Sequence, residues 1–167
     1  MSKLVGKEYS ARFAVDWTTT HDVDGKIISH FSYGYAAHLA ILDENGDIKE
    51  IHAAHDGGKI INPALFDGQI QGGVVMGMGY ALKEKLPIKD GYLESARMSK
   101  LGLLKAKDIP EIKVIVIEDP DPVGPFGAKG VGEISCIPTA PAIANAFCRY
   151  DGERRYKLPL APVKKKR

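Results

Sequence analysis

The chain has 167 residues, 44% of them apolar and 26% charged, with a net charge of +2. That composition fits one soluble globular domain with a core of its own, and the charge is too small and too dispersed to argue for a nucleic-acid partner. Two cysteines, Cys136 and Cys148, are too few for a disulfide scaffold or a four-thiolate cluster, and they read as small hydrophobes.

Residues 1–30 read as an irregular N-terminal segment with one short strand at Tyr9–Asp16. His21, Asp22 and Asp24 lie in HDVDG, whose Asp and Gly residues favour a loop over a metal cluster. A main domain is expected over 31–160. Phe31–Leu42 predicts a strand, Asn45-Gly46 a hairpin turn, and Ile48–His55 the returning strand. His52 and His55 are three apart, which puts them on opposite faces of that strand and argues against joint metal ligation. Asn62-Pro63 marks a helix start, and Leu86-Pro87 stops a helix running to about Lys85.

Within this helix, GQIQGGVVMGMG spans 68–79 and holds five glycines. Relative to alanine they cost about 3–5 kcal/mol together. Gly68, Gly72 and Gly79 fall within about 40° on a helical wheel, with Gly73 and Gly77 on the far side. The rest of the circumference is mostly apolar, which predicts burial on most sides. Tight helix packing is the plainer reading of the glycines; a face open to a flat ligand is the sharper one. Gln69, near the helix start, offers an amide donor and acceptor suited to a pterin or base edge. The spacing is not that of a dinucleotide-binding fingerprint.

Residues 88–110 read as loop with a short ribbon near Tyr92–Glu94, and EIKVIVIE at 111–118 predicts a strand. A Pro- and Gly-rich loop follows. GPFGAKGVG at 124–132 places four glycines ahead of Glu133 and lacks the Ser or Thr that a phosphate-binding Walker loop has after its lysine. Glu133 reads as a surface glutamate near a helix N-terminus or, more sharply, as a partly desolvated base. A helix over Thr139–Tyr150 with Gly152 at its cap, a short strand at Tyr156–Leu160, and a basic tail at 161–167 complete the reading; its end, Lys164–Arg167, reads as solvated and frayed rather than as a targeting patch. The fold class is α+β: a mixed, largely antiparallel sheet packed against two long helices. No signal peptide or membrane-spanning run is expected, which makes the cytoplasm the default compartment and a membrane no partner.

Two stretches, AAHDGGKIINPALFDGQIQGGVVMGMGYAL and EIKVIVIEDPDPVGPFGAKGVGEISCIPTAPAIANA, resemble the C-terminal part of the molybdenum-binding subunit of the xanthine dehydrogenase family. The resemblance extends to molybdenum hydroxylases in general, among them aldehyde oxidases and carbon monoxide dehydrogenases, and is strongest toward the selenium-dependent xanthine dehydrogenases. It implies a molybdopterin-binding domain over 31–160. It implies that Glu133 is the general base beside the molybdenum, that Gln69 hydrogen-bonds the pyranopterin, and that Lys129, Gly130, Val131 and Gly132 lie against the cofactor. No residue is implied as a metal ligand. The cofactor would be molybdopterin or its cytosine dinucleotide form, with iron–sulfur clusters and flavin on other chains or domains.

The family's subunit is several times longer than this chain. The resemblance therefore implies a fragment or split subunit, inactive alone, that completes its site with the N-terminal part of the molybdenum-binding subunit and works with iron–sulfur and FAD subunits on a purine or related heterocycle. The alternatives are a non-catalytic assembly module and an aldehyde- or carbon monoxide-oxidising relative. LESARMSKLGLLKAKDIP after Tyr92 departs from the family's usual segment, which leaves substrate contacts there open.

Overall fold

The computed structural model describes residues 19–21, 27–29, 36–95 and 97–164. The Tyr9–Asp16 strand, Ala96 and residues 165–167 lie outside them. Where loop was expected, β1 (Thr19–His21) and β2 (Ile27–Ser29) pair antiparallel. The principal sheet has the order β3 (Ala36–Leu42), β4 (Ile48–Asp56), β7 (Glu111–Ile117). β3 and β4 form the expected hairpin, antiparallel, with a register irregularity at Ile41/Leu42. Its turn is built by Asp43, whose Oδ1 accepts from the N–H groups of Asn45 and Asp47, and by Gly46 at φ 84°. β7 joins β4 in parallel. β5 (Ile88–Lys89) and β6 (Tyr92–Leu93) make the small separate ribbon.

The parallel pairing requires a crossover, and α1 (Pro63–Leu82) lies within it. Asn62 caps α1, its Oδ1 accepting from Leu65 N at 3.1 Å, and Pro63 occupies the first turn. The helix stops before the expected Lys85. Lys83 leaves helical geometry, the N–H groups of Lys83 and Glu84 both bond Gly79 O, and Lys85 N turns to Leu101 O. α2 (Thr139–Asp151) ends as expected on Gly152 in the left-handed conformation. Phe66, Ile70, Val74, Met78 and Ala81 of α1 meet Ala140, Ile143 and Phe147 of α2 and Ala40, Ile51 and Ala53 of the sheet in one core. This is the expected α+β arrangement of mixed sheet and two helices.

Three expectations change. Gly79 aside, burial of α1 lies along one stripe, and Leu65, Gly68, Gln69, Gly72 and Met76 are exposed along the opposite face. Tyr156–Leu160 is not a strand: Pro159 lacks a backbone N–H, and the segment is held instead by Leu160 N donating to Ala81 O at 2.7 Å. Lys164, expected in the frayed end, is held by its N–H donating to Asp151 Oδ2, and Arg155 donates to the carbonyls of Ala161 and Pro162 before it. Among the described residues no helix is long and apolar enough to cross a membrane.

The glycines of α1 divide into two kinds. A Cβ at Gly73 would lie 2.9 Å from Ser135 Cβ, and one at Gly77 would lie 2.6 Å from Thr139 Cβ and 2.9 Å from Cys136 O. These two let the segment entering α2 lie directly on the helix. A Cβ at Gly68 or Gly72 would meet nothing within 4 Å. Gly79, grouped with them on the wheel, is instead buried against Glu84. Gly77→Ala is therefore expected to lower stability by about 1–3 kcal/mol through overpacking, while Gly72→Ala raises it by about 0.5–1 kcal/mol. Urea unfolding of the two variants against the parent chain measures both.

Candidate functional site

The loop that ends in Glu133 is fastened at its base. β4 and β7 run parallel, so their carboxyl ends emerge together, and Asp56 sits at that edge, fully buried. Its Oδ1 accepts from Gly58 N at 2.8 Å and from Asp119 N at 3.2 Å; its Oδ2 accepts from Lys129 Nζ at 2.6 Å. Lys129 and Asp56 side chains are only 8% and 3% exposed. Burial opposes the lysine's charge, but the bond to Asp56 and the charges of Asp56, Asp119 and Asp121 outweigh it and hold its pKa above the ordinary lysine value. The expected Lys129 contact with a cofactor is thus, for its ammonium, a contact with Asp56.

The backbone reinforces this anchor. Lys59 N donates to Gly127 O at 2.8 Å and Lys129 N to Gly57 O at 2.9 Å. Gly58, at φ 64°, approaches so closely that a Cβ would lie 2.9 Å from Lys129 N. Asp121 Oδ1 closes the intervening turn on the N–H groups of Val123 and Gly124.

Beyond Lys129 the chain crosses to α1. Gln69 Nε2 donates to Gly132 O at 2.7 Å, which brings the two sequence-predicted residues, Gln69 and Glu133, to one place. Val131 is half-buried against the core, whereas Gly130, Gly132 and Glu133 are exposed. The partial desolvation expected of Glu133 is not provided by the described residues. The backbone N–H groups of Gly130, Val131, Gly132 and Glu133 find no acceptor among the described residues. A Cβ at Gly132 would meet nothing within 4 Å, as at Gly68 and Gly72. This stretch of surface thus brings together glycines with open space beside them, the Gln69 amide, and the exposed Glu133 carboxylate.

After Glu133 the chain makes a buried turn. Cys136 N bonds Glu133 O at 3.2 Å, Tyr80 OH donates to Cys136 O at 2.7 Å, and Thr139 Oγ1 donates to Ser135 O at 3.0 Å. Under the turn lies a pair that sequence reasoning missed. His38 Nδ1 is 3.0 Å from Thr139 Oγ1, and His38 Nε2 is 2.7 Å from His55 Nε2. Both rings are buried. Burial, and for His38 also the neighbouring His55, hold their pKa values down, to about 3 for His38 and about 4 for His55. The signal was present: a hairpin centred on Asn45-Gly46 makes His38 and His55 diagonal neighbours on one face, as the register Ala36↔His55 and His38↔Ala53 shows. His52 stands on the other face, bonded to Glu50. Among the described residues no three His, Cys, Asp or Glu side chains gather as a metal site.

A family model for the molybdopterin cofactor-binding domain matches residues 2–110. A probable xanthine dehydrogenase subunit from Bacillus subtilis is 33% identical over 153 residues, covering 89% of this chain and 20% of its own length. The molybdenum-binding subunit PaoC of an Escherichia coli aldehyde oxidoreductase is 33% identical over 132 residues, covering 76% of this chain and 18% of its own length. Among solved structures, the aldehyde oxidoreductase of Desulfovibrio gigas superimposes with a TM-score of 0.66 at 33% identity, over 84% of this chain and 16% of that one. The chain therefore spans about a fifth or less of the length of the relatives it matches.

Two stability measurements test the anchors. Lys129→Ala leaves the Asp56 carboxylate buried without its cation and is expected to cost about 3–5 kcal/mol, whereas Asp56→Asn combined with Lys129→Met costs less than the sum of the two single changes. The histidine pair gives a pH dependence. The unfolded chain protonates each histidine below about 6.5, while the folded chain resists until about 4 for His55 and about 3 for His38. Between those limits the unfolded state holds more protons, so stability rises with pH and is lost as pH falls. The expected slope is about 1.4 kcal/mol per pH unit for each histidine, read as a falling urea midpoint between pH 6.5 and pH 5.

Proposed function

We propose a role for this site from the premise that the chain belongs to the molybdopterin cofactor-binding domain family of the xanthine dehydrogenase and aldehyde oxidoreductase molybdenum-binding subunits. The cofactor of that domain is a molybdenum-pterin, and the surface found here fits one. At Gly68, Gly72 and Gly132 an added Cβ would meet nothing within 4 Å, which leaves these backbones free for close approach by a flat ring system. The Gln69 amide can pair with a pterin edge, and the unused N–H groups of 130–133 suit its acceptor atoms and phosphate. In this reading Gln69 and the backbone of Lys129, Gly130, Val131 and Gly132 hold the group, and Lys129 acts through its backbone while its side chain braces the loop. When bound, the molybdenum centre supplies two-electron oxidation with oxygen insertion.

Glu133 then serves as the general base, taking up a proton at a carboxylate oxygen. The observation that carries this is the 2.7 Å bond from Gln69 to the carbonyl of Gly132, the residue before Glu133, which holds the base beside the pterin-facing amide. An exposed carboxylate is a weak base near neutral pH; covering the opening would raise its proton affinity. Leu65 and Met76, 72% and 61% exposed on the open face of α1, are the apolar surface such a cover would bury. We infer that the cover is the N-terminal part of the molybdenum-binding subunit, that iron–sulfur and FAD subunits complete the electron path, and that the assembly is cytoplasmic. Purines and related heterocycles are the proposed substrates, following the relative named as part of a xanthine dehydrogenase; the relative named as an aldehyde oxidoreductase makes aldehydes the competing class.

Co-expression with the rest of the subunit tests this. Glu133→Gln is expected to lower turnover about 10²–10⁴-fold with molybdenum content unchanged, and Gln69→Ala to lower molybdenum and pterin content. Unchanged turnover in the loaded Glu133→Gln enzyme overturns the base assignment. Parallel assays with a purine and an aldehyde decide the substrate class, and selenium analysis of the same sample tests membership of the selenium-dependent branch.

A further inference from the structure

The hydrogen bonds under the Glu133 turn can run in one direction that keeps Ser135 O paired. Ser135 O can only accept, and in that direction the Thr139 hydroxyl donates to it at 3.0 Å. Thr139 Oγ1 then accepts from His38 Nδ1–H at 3.0 Å. A neutral His38 protonated at Nδ1 has a bare Nε2, which accepts from His55 Nε2–H at 2.7 Å. His55 Nδ1 is left as a lone pair, and it is the one buried side-chain N or O atom without a partner among the described residues. At the far end Ser135 Oγ donates to Gln69 O at 3.4 Å. His38, His55, Ser135 and Thr139 are all buried, so water does not compete for these bonds. Gly73 and Gly77 of α1 leave no space on the other side of the turn.

We propose that His38 and His55 are positioning residues, which through Thr139 and Ser135 hold the 133–139 turn in the single geometry that presents Glu133 beside Gln69. The pair stands on the rigid β3–β4 hairpin, and its rings adopt opposite tautomers. The chain of bonds satisfies every donor it contains and concentrates its one unmet acceptor at His55, remote from the turn. A reversed chain, with His55 protonated at Nδ1 and Thr139 donating to His38, would strip Ser135 O of its partner and loosen the turn. The direction of the chain is therefore what fixes the turn. This inference rests on the reading of Glu133 as the base only for its consequence in turnover; its structural content stands apart.

The first test uses the full ¹⁵N-labelled chain at pH 7 and two-bond proton–nitrogen correlations of the imidazoles. His38 protonated at Nδ1 and His55 protonated at Nε2 support the proposal; any other pair of tautomers overturns it. The second measures amide hydrogen exchange in Thr139→Val, which keeps shape and removes the hydroxyl, and in Thr139→Ser, which restores it. Exchange at Cys136 N and its neighbours in 134–138 is expected to accelerate about five- to tenfold more than in β3 and β4 for the valine variant, the change that one net hydrogen bond makes, and to return toward the parent rate with serine. Uniform acceleration, no acceleration, or failure of serine to rescue overturns the positioning role. Neither readout involves the cofactor, so the positioning role can fail while the Glu133→Gln result stands, and the base assignment can fail while the tautomers and exchange rates stand.

Discussion

Asp56 carries a negative charge into a place with almost no water, and the fold meets that charge from three directions. Gly58 N comes from the loop leading to α1, Asp119 N from the exit of β7, and Lys129 Nζ from the loop leading to Glu133. A buried ion pair is no assured gain in stability, since desolvation of both ions can cancel their attraction. Here each carboxylate oxygen is satisfied, and two of the three donors, Asp119 N and Lys129 Nζ, lie 63 and 73 residues away in sequence. The pair thus fixes the point from which the loop to Glu133 departs. The ends of the two parallel strands are held together, and the glycine-rich loop starts its crossing to α1 from a defined point.

The crossing lands on a helix built to receive it. Five glycines in one helix are costly unless close contact offsets them. Gly73 and Gly77 recover that cost by admitting the Ser135–Thr139 turn to backbone distance, while Gly68 and Gly72 gain no contact among the described residues. The packing reading of the glycines, which competed with a ligand reading at the level of sequence, holds for Gly73 and Gly77; at Gly68 and Gly72 the open face is what the proposed cofactor contact would use. The same turn is pressed from below by the histidine pair, so Glu133 sits at the edge of a layered stack: sheet, histidines, turn, helix.

Local signals in the sequence located most of this. Asn62-Pro63 gave the start of α1, Asn45-Gly46 the hairpin, and Gly152 the end of α2, because each rests on the conformational preference of one or two residues. The resemblance brought Gln69 and Glu133 forward, and the structure puts them side by side. What the sequence concealed is of another kind. Asp56 and Lys129 are 73 residues apart, and nothing local marks them as partners. The all-round apolarity of α1 pointed to burial on most sides, because composition alone cannot distinguish a face covered by this chain from one left for something else. The final segment reads as a strand by its apolar content, but its proline and the pull of Arg155 on the carbonyls of Ala161 and Pro162 hold it in another path. The histidine pair was accessible, since the turn that fixes the hairpin also fixes the register; it required following that register one step further, to the diagonal neighbours.

In its proposed role as a base, Glu133 needs two things from its protein: a fixed position and surroundings that exclude water. The described residues supply the first. The Gly132 carbonyl is bonded to Gln69, the Glu133 carbonyl accepts from Cys136 N, and the turn beyond is held by Tyr80 and Thr139. Among the described residues nothing covers Glu133, which is exposed beside the open space at Gly132. Position comes cheaply from backbone contacts within one domain, whereas exclusion of water requires a surface facing the carboxylate from the opposite side. In the proposed reading that surface is the facing part of a molybdenum-binding subunit. The exposed apolar positions on the same face of α1, Leu65 and Met76, fit that reading, because a surface that would dry Glu133 must also have something apolar to rest on.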